Sequence, residues 1–291
     1  MITPQTAADR GAVIRVDTTV VLVPVSVTDQ MGRFVTGLEK EHFMLTEDKI
    51  AQEIASVSGE DVPLSVGIVF DTSGSMSSKL RQAGQAVANF LRLATPEDEF
   101  LLVQFNDRSE LTVPFTSNTS DIQNRVNFVR SKGRTALLDG VYLAMHEMKK
   151  ARNARKAILI ISDGGDNSSR YTDREVRKLV QEADVQIYAI GIFEPSGGRG
   201  ISAEEISGPA LLAEITEQTG GRHFHVTDLA MLPDIAAKIG LELRNQYLLA
   251  YTPKSALRDG KYRRVQVRLK KILGLPSLNT AFRRGYYSPA R

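Results

Sequence analysis

Leu64-Ser65-Val66-Gly67-Ile68-Val69-Phe70-Asp71-Thr72-Ser73-Gly74-Ser75 is the stretch that decides the fold. Its first seven residues are apolar or small and do not alternate with polar ones. That pattern predicts a strand buried on both faces, as in a parallel sheet. An acid and two hydroxyls follow at once, in the spacing Asp71-x-Ser73-x-Ser75. Beyond them, Leu80, Ala83, Val87, Phe90 and Leu91 form one stripe of an amphipathic helix.

Strand and helix then alternate downstream. Phe100 to Phe105 predicts a strand. Ile122, Val126 and Val129 predict a helix, and Leu138, Val141, Tyr142, Met145 and Met148 predict another. Ala157 to Ile161 predicts a second fully buried strand. Thr172-Asp173-Arg174-Glu175 has the form of a capping box that starts a helix. Val185 to Ile192 is a further strand. Leu211, Leu212 and Ile215 mark a helix that ends at Gly220-Gly221, and Arg222 to Val226 is a short strand. Leu229, Leu232, Ile235, Ala236, Ile239 and Leu243 mark a last long helix. The expected fold class is α/β, a doubly wound, mainly parallel sheet with helices on both faces.

The flanks read as β. Val21, Val23, Val25 and Val27 share one face at period two. Asp29-Gln30-Met31-Gly32 reads as a turn. Phe34-Val35, Phe43-Met44-Leu45 and Ile54 to Ser58 read as short strands. After Asn245, Tyr247 to Tyr251 is a strand. Val265, Val267 and Leu269 alternate with Arg264, Gln266, Arg268 and Lys270, and Ala281 to Tyr287 reads as one more strand. The expected architecture inserts the α/β unit, residues 63–244, into a small β-sandwich. Residues 12–62 form the sandwich's N-terminal half and residues 245–288 its C-terminal half.

Composition fits a globular chain: 291 residues, 42% hydrophobic and 24% charged, with a formal net charge of +3. The charge is unevenly spread. From Lys254 to Arg291 there are eleven Lys and Arg against the single acid Asp259, whereas acids dominate from Glu39 to Asp61. The reading favoured here brings the two flanks together, rather than making the basic tail a nucleic-acid site. Without cysteine, disulfides, thiolate metal sites and cysteine nucleophiles are excluded. No apolar run reaches the ~20 residues of a membrane helix, and Met1 to Gly11 shows no signal-peptide pattern.

In an open parallel sheet, ligands bind beyond the carboxyl ends of the strands. Three segments fall there: Asp71, Ser73 and Ser75 after one strand, Asp163 after another, and Thr135 in the Lys132-Gly133-Arg134-Thr135 loop before a helix. All five carry oxygen, as a hard dication requires. Mg²⁺ prefers octahedral geometry, few direct carboxylates and several waters. If the hydroxyls bind directly and the acids act partly through water, the ion stays electrophilic and has room for an outside carboxylate. Gly74 allows a tight turn. Gly164-Gly165-Asp166-Asn167 supplies further hydrogen-bonding groups.

Asp71-x-Ser73-x-Ser75, Gly133-x-Thr135 and Ser162-Asp163-Gly164, in this order and each at a strand end, resemble the metal-ion-dependent adhesion site of the von Willebrand factor type A domain. The resemblance covers roughly Pro63 to Arg244. The flanks, from Val20-Val21-Leu22-Val23-Pro24-Val25 to Arg284-Gly285-Tyr286-Tyr287, look like bacterial proteins related to that domain. The resemblance implies that Ser73, Ser75 and Thr135 contact Mg²⁺, with Mn²⁺ or Ca²⁺ as substitutes, and that Asp71 and Asp163 hold its waters or bind it directly. It also implies a non-enzymatic adhesion or scaffolding module, whose protein partner presents an Asp or Glu to the metal. Gly74, Gly133, Arg134, Gly164, Asp166 and Asn167 are the supporting or partner-facing candidates. The alternative is a regulatory or assembly subunit of a larger enzyme or membrane complex. A monomer with no nucleic-acid role is expected, in an extracytoplasmic compartment. Met76-Ser77-Ser78-Lys79 lacks the paired acids of an adjacent regulatory metal site.

Rival chemistries fit less well. An aspartic-protease reading of Asp71-Thr72-Ser73-Gly74 lacks a second copy and the shared proton of a carboxylate dyad. A phosphoryl-acceptor reading needs companion acids and a suitable lysine, for which Lys79 is a poor candidate. A serine hydrolase would need G-x-S-x-G. His223 and His225 share a strand face but have no soft third ligand. Arg263, Arg264, Arg268, Lys270 and Lys271 read as the wet face of an edge strand. The Gly/Ser-rich loop from Phe193 to Gly208 is positioned to shape partner choice or is an inert insertion.

Overall fold

The computed structural model describes residues 20–59, 62–193, 203–255, 258–271 and 277–289. A six-stranded sheet forms its centre. β5 (Leu64–Asp71) lies in the middle, buried along its whole length, with β6 (Glu99–Phe105) on one side and β8 (Arg155–Ser162) on the other. β9 (Gln186–Ile192) and β10 (His223–Val226) continue outward from β8, all parallel. β7 (Ser109–Thr116) closes the opposite edge, antiparallel to β6. The sheet order is β10-β9-β8-β5-β6-β7. The winding direction therefore reverses between β5 and β8, which is where a doubly wound sheet opens a crevice.

Two apolar layers enclose this sheet. On one face α1 (Leu80–Leu91), α2 (Thr119–Asn127) and α6 (Leu232–Arg244) pack through Val87, Phe90, Ile122, Ala236 and Ile239 against Val66, Ile68 and Phe70. On the other, α3 (Leu137–Glu147), α4 (Asp173–Glu182) and α5 (Ala203–Thr219) pack through Val141, Met145, Val176, Leu212 and Ile215 against Val69, Val103 and Ile160. Each fully buried aliphatic side chain contributes roughly 1.5–3 kcal/mol of transfer free energy. The capping box at α4 forms as its sequence requires, with Thr172 and Glu175 bonding reciprocally.

The flanks form two four-stranded sheets. One has the order β13-β1-β11-β4, from Asn279–Phe282, Val21–Thr28, Tyr247–Tyr251 and Ile54–Ser58. The other has the order β14-β12-β2-β3, from Gly285–Tyr287, Tyr262–Leu269, Phe43–Glu47 and Ile50–Gln52. Val23, Val25, Leu45, Leu249, Tyr251, Val265 and Val267 fill the space between them. Strands from both ends of the chain therefore share one core, as the charge pattern anticipated.

Three readings of the flanks change. Phe34 makes only an isolated bridge to Thr28 rather than a strand. Ala281 to Tyr287 divides into two strands in different sheets. Arg283, between them, turns inward to Asp184 at 2.6 Å and breaks the run. β12 keeps its alternating wet and dry faces, yet it lies between β14 and β2 and is not an edge. Arg263 on it is buried and paired with Asp259 at 2.7 Å.

α6 leads directly into β11, and its buried Glu242 fastens the α/β unit to the sandwich. That carboxylate accepts from Ser26 at 3.1 Å and Tyr188 at 3.3 Å, and it pairs with Arg222 at 3.1 Å. Gln246 adds bonds to Ser26 and Tyr188 at 3.1 and 3.0 Å. Burial raises the pKa of Glu242 despite Arg222.

Candidate metal centre

Asp71 ends β5 and Asp163 follows β8, so the two carboxylates flank the reversal point of the sheet. Asp71 is fully buried. Its Oδ1 accepts from the Ser73 backbone N–H at 2.8 Å, and its Oδ2 accepts from the Ser162 hydroxyl at 2.6 Å. Ser162 in turn accepts from the Gly164 N–H at 3.0 Å. Burial, followed by the neighbouring charge of Asp163, pushes the Asp71 carboxyl up to about 7.

The Ser73 and Ser75 hydroxyls lie 3.0 Å apart, the first buried and the second exposed. They form a short ladder from the buried carboxylate toward solvent. Thr135 is buried, and the backbone ties its loop to this ladder. Gly74 N–H donates to Gly133 O at 3.0 Å, and Lys132 N–H donates to Thr72 O at 2.9 Å. Gly133 adopts φ +75°, and a Cβ there would fall 2.1 Å from Asp107 Oδ2, so only glycine fits.

The supporting candidates divide. Asn167 Oδ1 accepts from Thr135 N–H at 3.0 Å, and Asn167 N–H returns a bond to Thr135 O at 3.0 Å. Asp166 accepts from Leu138 N–H at 2.8 Å and Ser169 Oγ at 2.6 Å, capping the start of α3. Gly164 has φ +83° and packs against Phe193 and Gly208. These three hold the loops in place. Arg134 does not turn inward: its side chain is 71% exposed, 3.8 Å from Asp107.

Two residues at the site were not among the candidates read from the sequence. Lys79 is buried, and its Nζ lies 3.3 Å from Asp163 Oδ2. Asp107 receives Arg134 N–H at 2.9 Å and so shapes the Gly133 loop. Neither lies in a motif, and only the tertiary fold brings them to the site. His223 and His225 pack with Phe193 as a three-ring cluster, His225 stacked on it at 4.6 Å. Of the Phe193 to Gly208 loop, residues 194–202 lie outside the described residues.

The donor set fits a small hard dication. It offers only carboxylate and hydroxyl oxygens, and the charge of Asp163 opposes the ionisation of Asp71. Among the described residues, no group of three or more His, Cys, Asp or Glu is placed to hold a metal. Hydroxyls must supply what carboxylates do not, and that composition disfavours soft transition metals.

This strand order, with hydroxyl-rich loops at the reversal point, defines the class of open, doubly wound α/β domains. More particularly, residues 66–165 match the family model of the von Willebrand factor type A domain. An uncharacterized protein of Borreliella burgdorferi is 26% identical over 182 residues, covering 55% of this chain and 53% of that protein. Inter-alpha-trypsin inhibitor heavy chain H4 of Bos taurus is 24% identical over 135 residues, covering 42% of this chain and 15% of that protein. The chain thus spans about half or less of the length of these relatives. The solved structure of von Willebrand factor type A from Catenulispora acidiphila shares the fold, with a TM-score of 0.54 and 14% identity over 94% of this chain and 74% of that one.

Proposed function

We propose that the α/β unit is a divalent-cation-dependent protein-binding module. What supports this reading is that the loops bearing Asp71, Ser73 and Ser75, Thr135, and Asp163 all lie beside the reversal point of the sheet, with Ser73 bonded to Asp71 and Ser75, and Gly74 bonded to Gly133. Mg²⁺ is the ion that this oxygen set fits best, with Mn²⁺ and Ca²⁺ as substitutes. The bound ion would supply a Lewis-acidic centre for a carboxylate of another protein. The chain's own residues do the rest. Ser162 and the Ser73 N–H orient Asp71, Asn167 holds Thr135, and Lys79 balances Asp163.

The role is binding rather than turnover, in a monomer exposed outside the cytoplasm. Among the described residues no helix is long and apolar enough to cross a membrane. Calorimetric titration with Mg²⁺, Mn²⁺ and Ca²⁺ tests the centre. One saturable site, lost in Asp71→Ala and Ser73→Ala, is the expected outcome. Capture of a partner that chelator releases tests the function. Heat of binding that persists in both variants would end the proposal.

A further inference from the structure

Among the described residues, the loops around the same centre carry more exposed cations than acids, which bears on the kind of partner it takes. Three of these loops are the β6–β7 turn at residues 106–108, the α2–α3 loop at 128–136, and the segment after β8 at 163–172. They place five exposed cations there: Arg108, Arg130, Lys132, Arg134 and Arg170. Of the three acids in these loops, Asp163 is buried against Lys79 and Asp166 caps α3, which leaves Asp107 as the exposed one. Arg134 lies 3.8 Å from Asp107, and Arg170 lies 3.3 Å from the buried Asp139, with its side chain still 83% exposed.

The α2–α3 loop is pinned rather than loose. Lys132 N–H is bonded to Thr72 O, Gly133 O to Gly74 N–H, Arg134 N–H to Asp107 and Ala136 N–H to Asn106 O. The backbone at Lys132 and Arg134 is therefore held close to the Ser73–Ser75 ladder. The same loop begins with Phe128, which is 85% exposed, the most exposed large apolar side chain among the described residues. A lone exposed aromatic needs no explanation, but one at the head of a cationic loop offers an apolar contact next to charge.

We propose that the partner is recognised through an acidic segment, several carboxylates in succession with an apolar residue beside them, rather than through one isolated Asp or Glu. This rests on the reading of the centre as a cation site that takes a carboxylate. One carboxylate of the segment meets the centre, and its neighbours meet Arg130, Lys132 and Arg134. The apolar residue covers Phe128. Complementary exposed charge raises the association rate and selects among partners, and salt screens it.

Two labelled synthetic peptides test this on the full chain by fluorescence anisotropy in Mg²⁺. One has a single Asp in a Gly/Ser background, and the other has the same Asp followed by Glu residues and a Leu. The acidic peptide is expected to bind about tenfold or more tightly, and the gap to shrink as ionic strength rises toward ~0.15 M. The double variant Arg130→Glu/Lys132→Glu is expected to close most of the gap, with its melting curve serving as the control for folding. Equal affinity of the two peptides overturns the inference, as does a gap that survives charge reversal or absence of binding by both. Equally tight competition by a heparin fragment or a DNA oligonucleotide also overturns it, because the rim would then be a general polyanion surface. If chelator leaves all binding intact while the charge-dependent gap remains, the acidic-segment inference stands and the cation reading of the centre fails.

Discussion

Carboxylates are buried at both ends of the central sheet, and Asp71 at the carboxyl end is held differently from the two at the amino end. At the amino end, Asp98 accepts from Leu64 N–H at 2.8 Å and Thr95 N–H at 2.7 Å, and it pairs with Arg244. Glu99 beside it takes the Ser65 hydroxyl at 2.6 Å, Arg152 N–H at 2.8 Å and the Arg152 guanidinium at 3.3 Å. At the carboxyl end, Asp71 has the Ser73 N–H and the Ser162 and Ser73 hydroxyls but, among the described residues, no paired cation, and Asp163 opposes its ionisation. Burial alone therefore does not distinguish a structural acid from a candidate binding acid. The distinction lies in whether the fold itself supplies enough N–H groups and cations for the charge.

That contrast can be broken in four ways. The largest effect is expected from Asp98→Ala, which removes the carboxylate partner of Arg244 and the acceptor of the Leu64 and Thr95 N–H groups. Chemical denaturation should show a loss of about 3–5 kcal/mol. Asp71→Asn keeps the shape and removes a charge that its surroundings disfavour. Stability should stay within about 1 kcal/mol while the heat of Mg²⁺ binding vanishes. A loss as large as that of Asp98→Ala would erase the difference between the two ends.

Lys79→Met sharpens the comparison from the other side. Without the ammonium at 3.3 Å from Asp163, a dication meets less repulsion, and calorimetry should show roughly fivefold tighter Mg²⁺ binding. The smallest effect is expected from Arg152→Ala. Its guanidinium is 58% exposed, so thermal melting should register a loss below about 1 kcal/mol.

Much of this arrangement was legible in the sequence, because buried parallel strands write themselves as unbroken apolar runs. Leu64 to Phe70 and Ala157 to Ile161 are such runs, and the polar residues that follow them fall at strand ends. β7 was not legible. Ser109–Thr116 is only half-buried and does not alternate cleanly, and Pro114 within it is tolerated because the strand lies at the sheet edge. The interior place of β12 was hidden as well. Period two reports which face is wet but says nothing about which strands lie alongside, and β2 comes from the other end of the chain. Lys79 was passed over for a related reason. Its buried partner Asp163 is 84 residues away, beyond what local spacing can show.

The pairing of β1 with β11 sets a constraint on how the chain can be made. Ser26 on β1 and Glu242, just before β11, are separated by 216 residues. A ribosome adding about 5–20 residues per second needs on the order of ten to forty seconds to cover that span. For that interval β1, with its valine-lined face, has emerged without the neighbour that later covers it. The nascent N-terminal segment is thus the part of this protein most in need of a chaperone. A variant stalled before Tyr247 should be recovered bound to one.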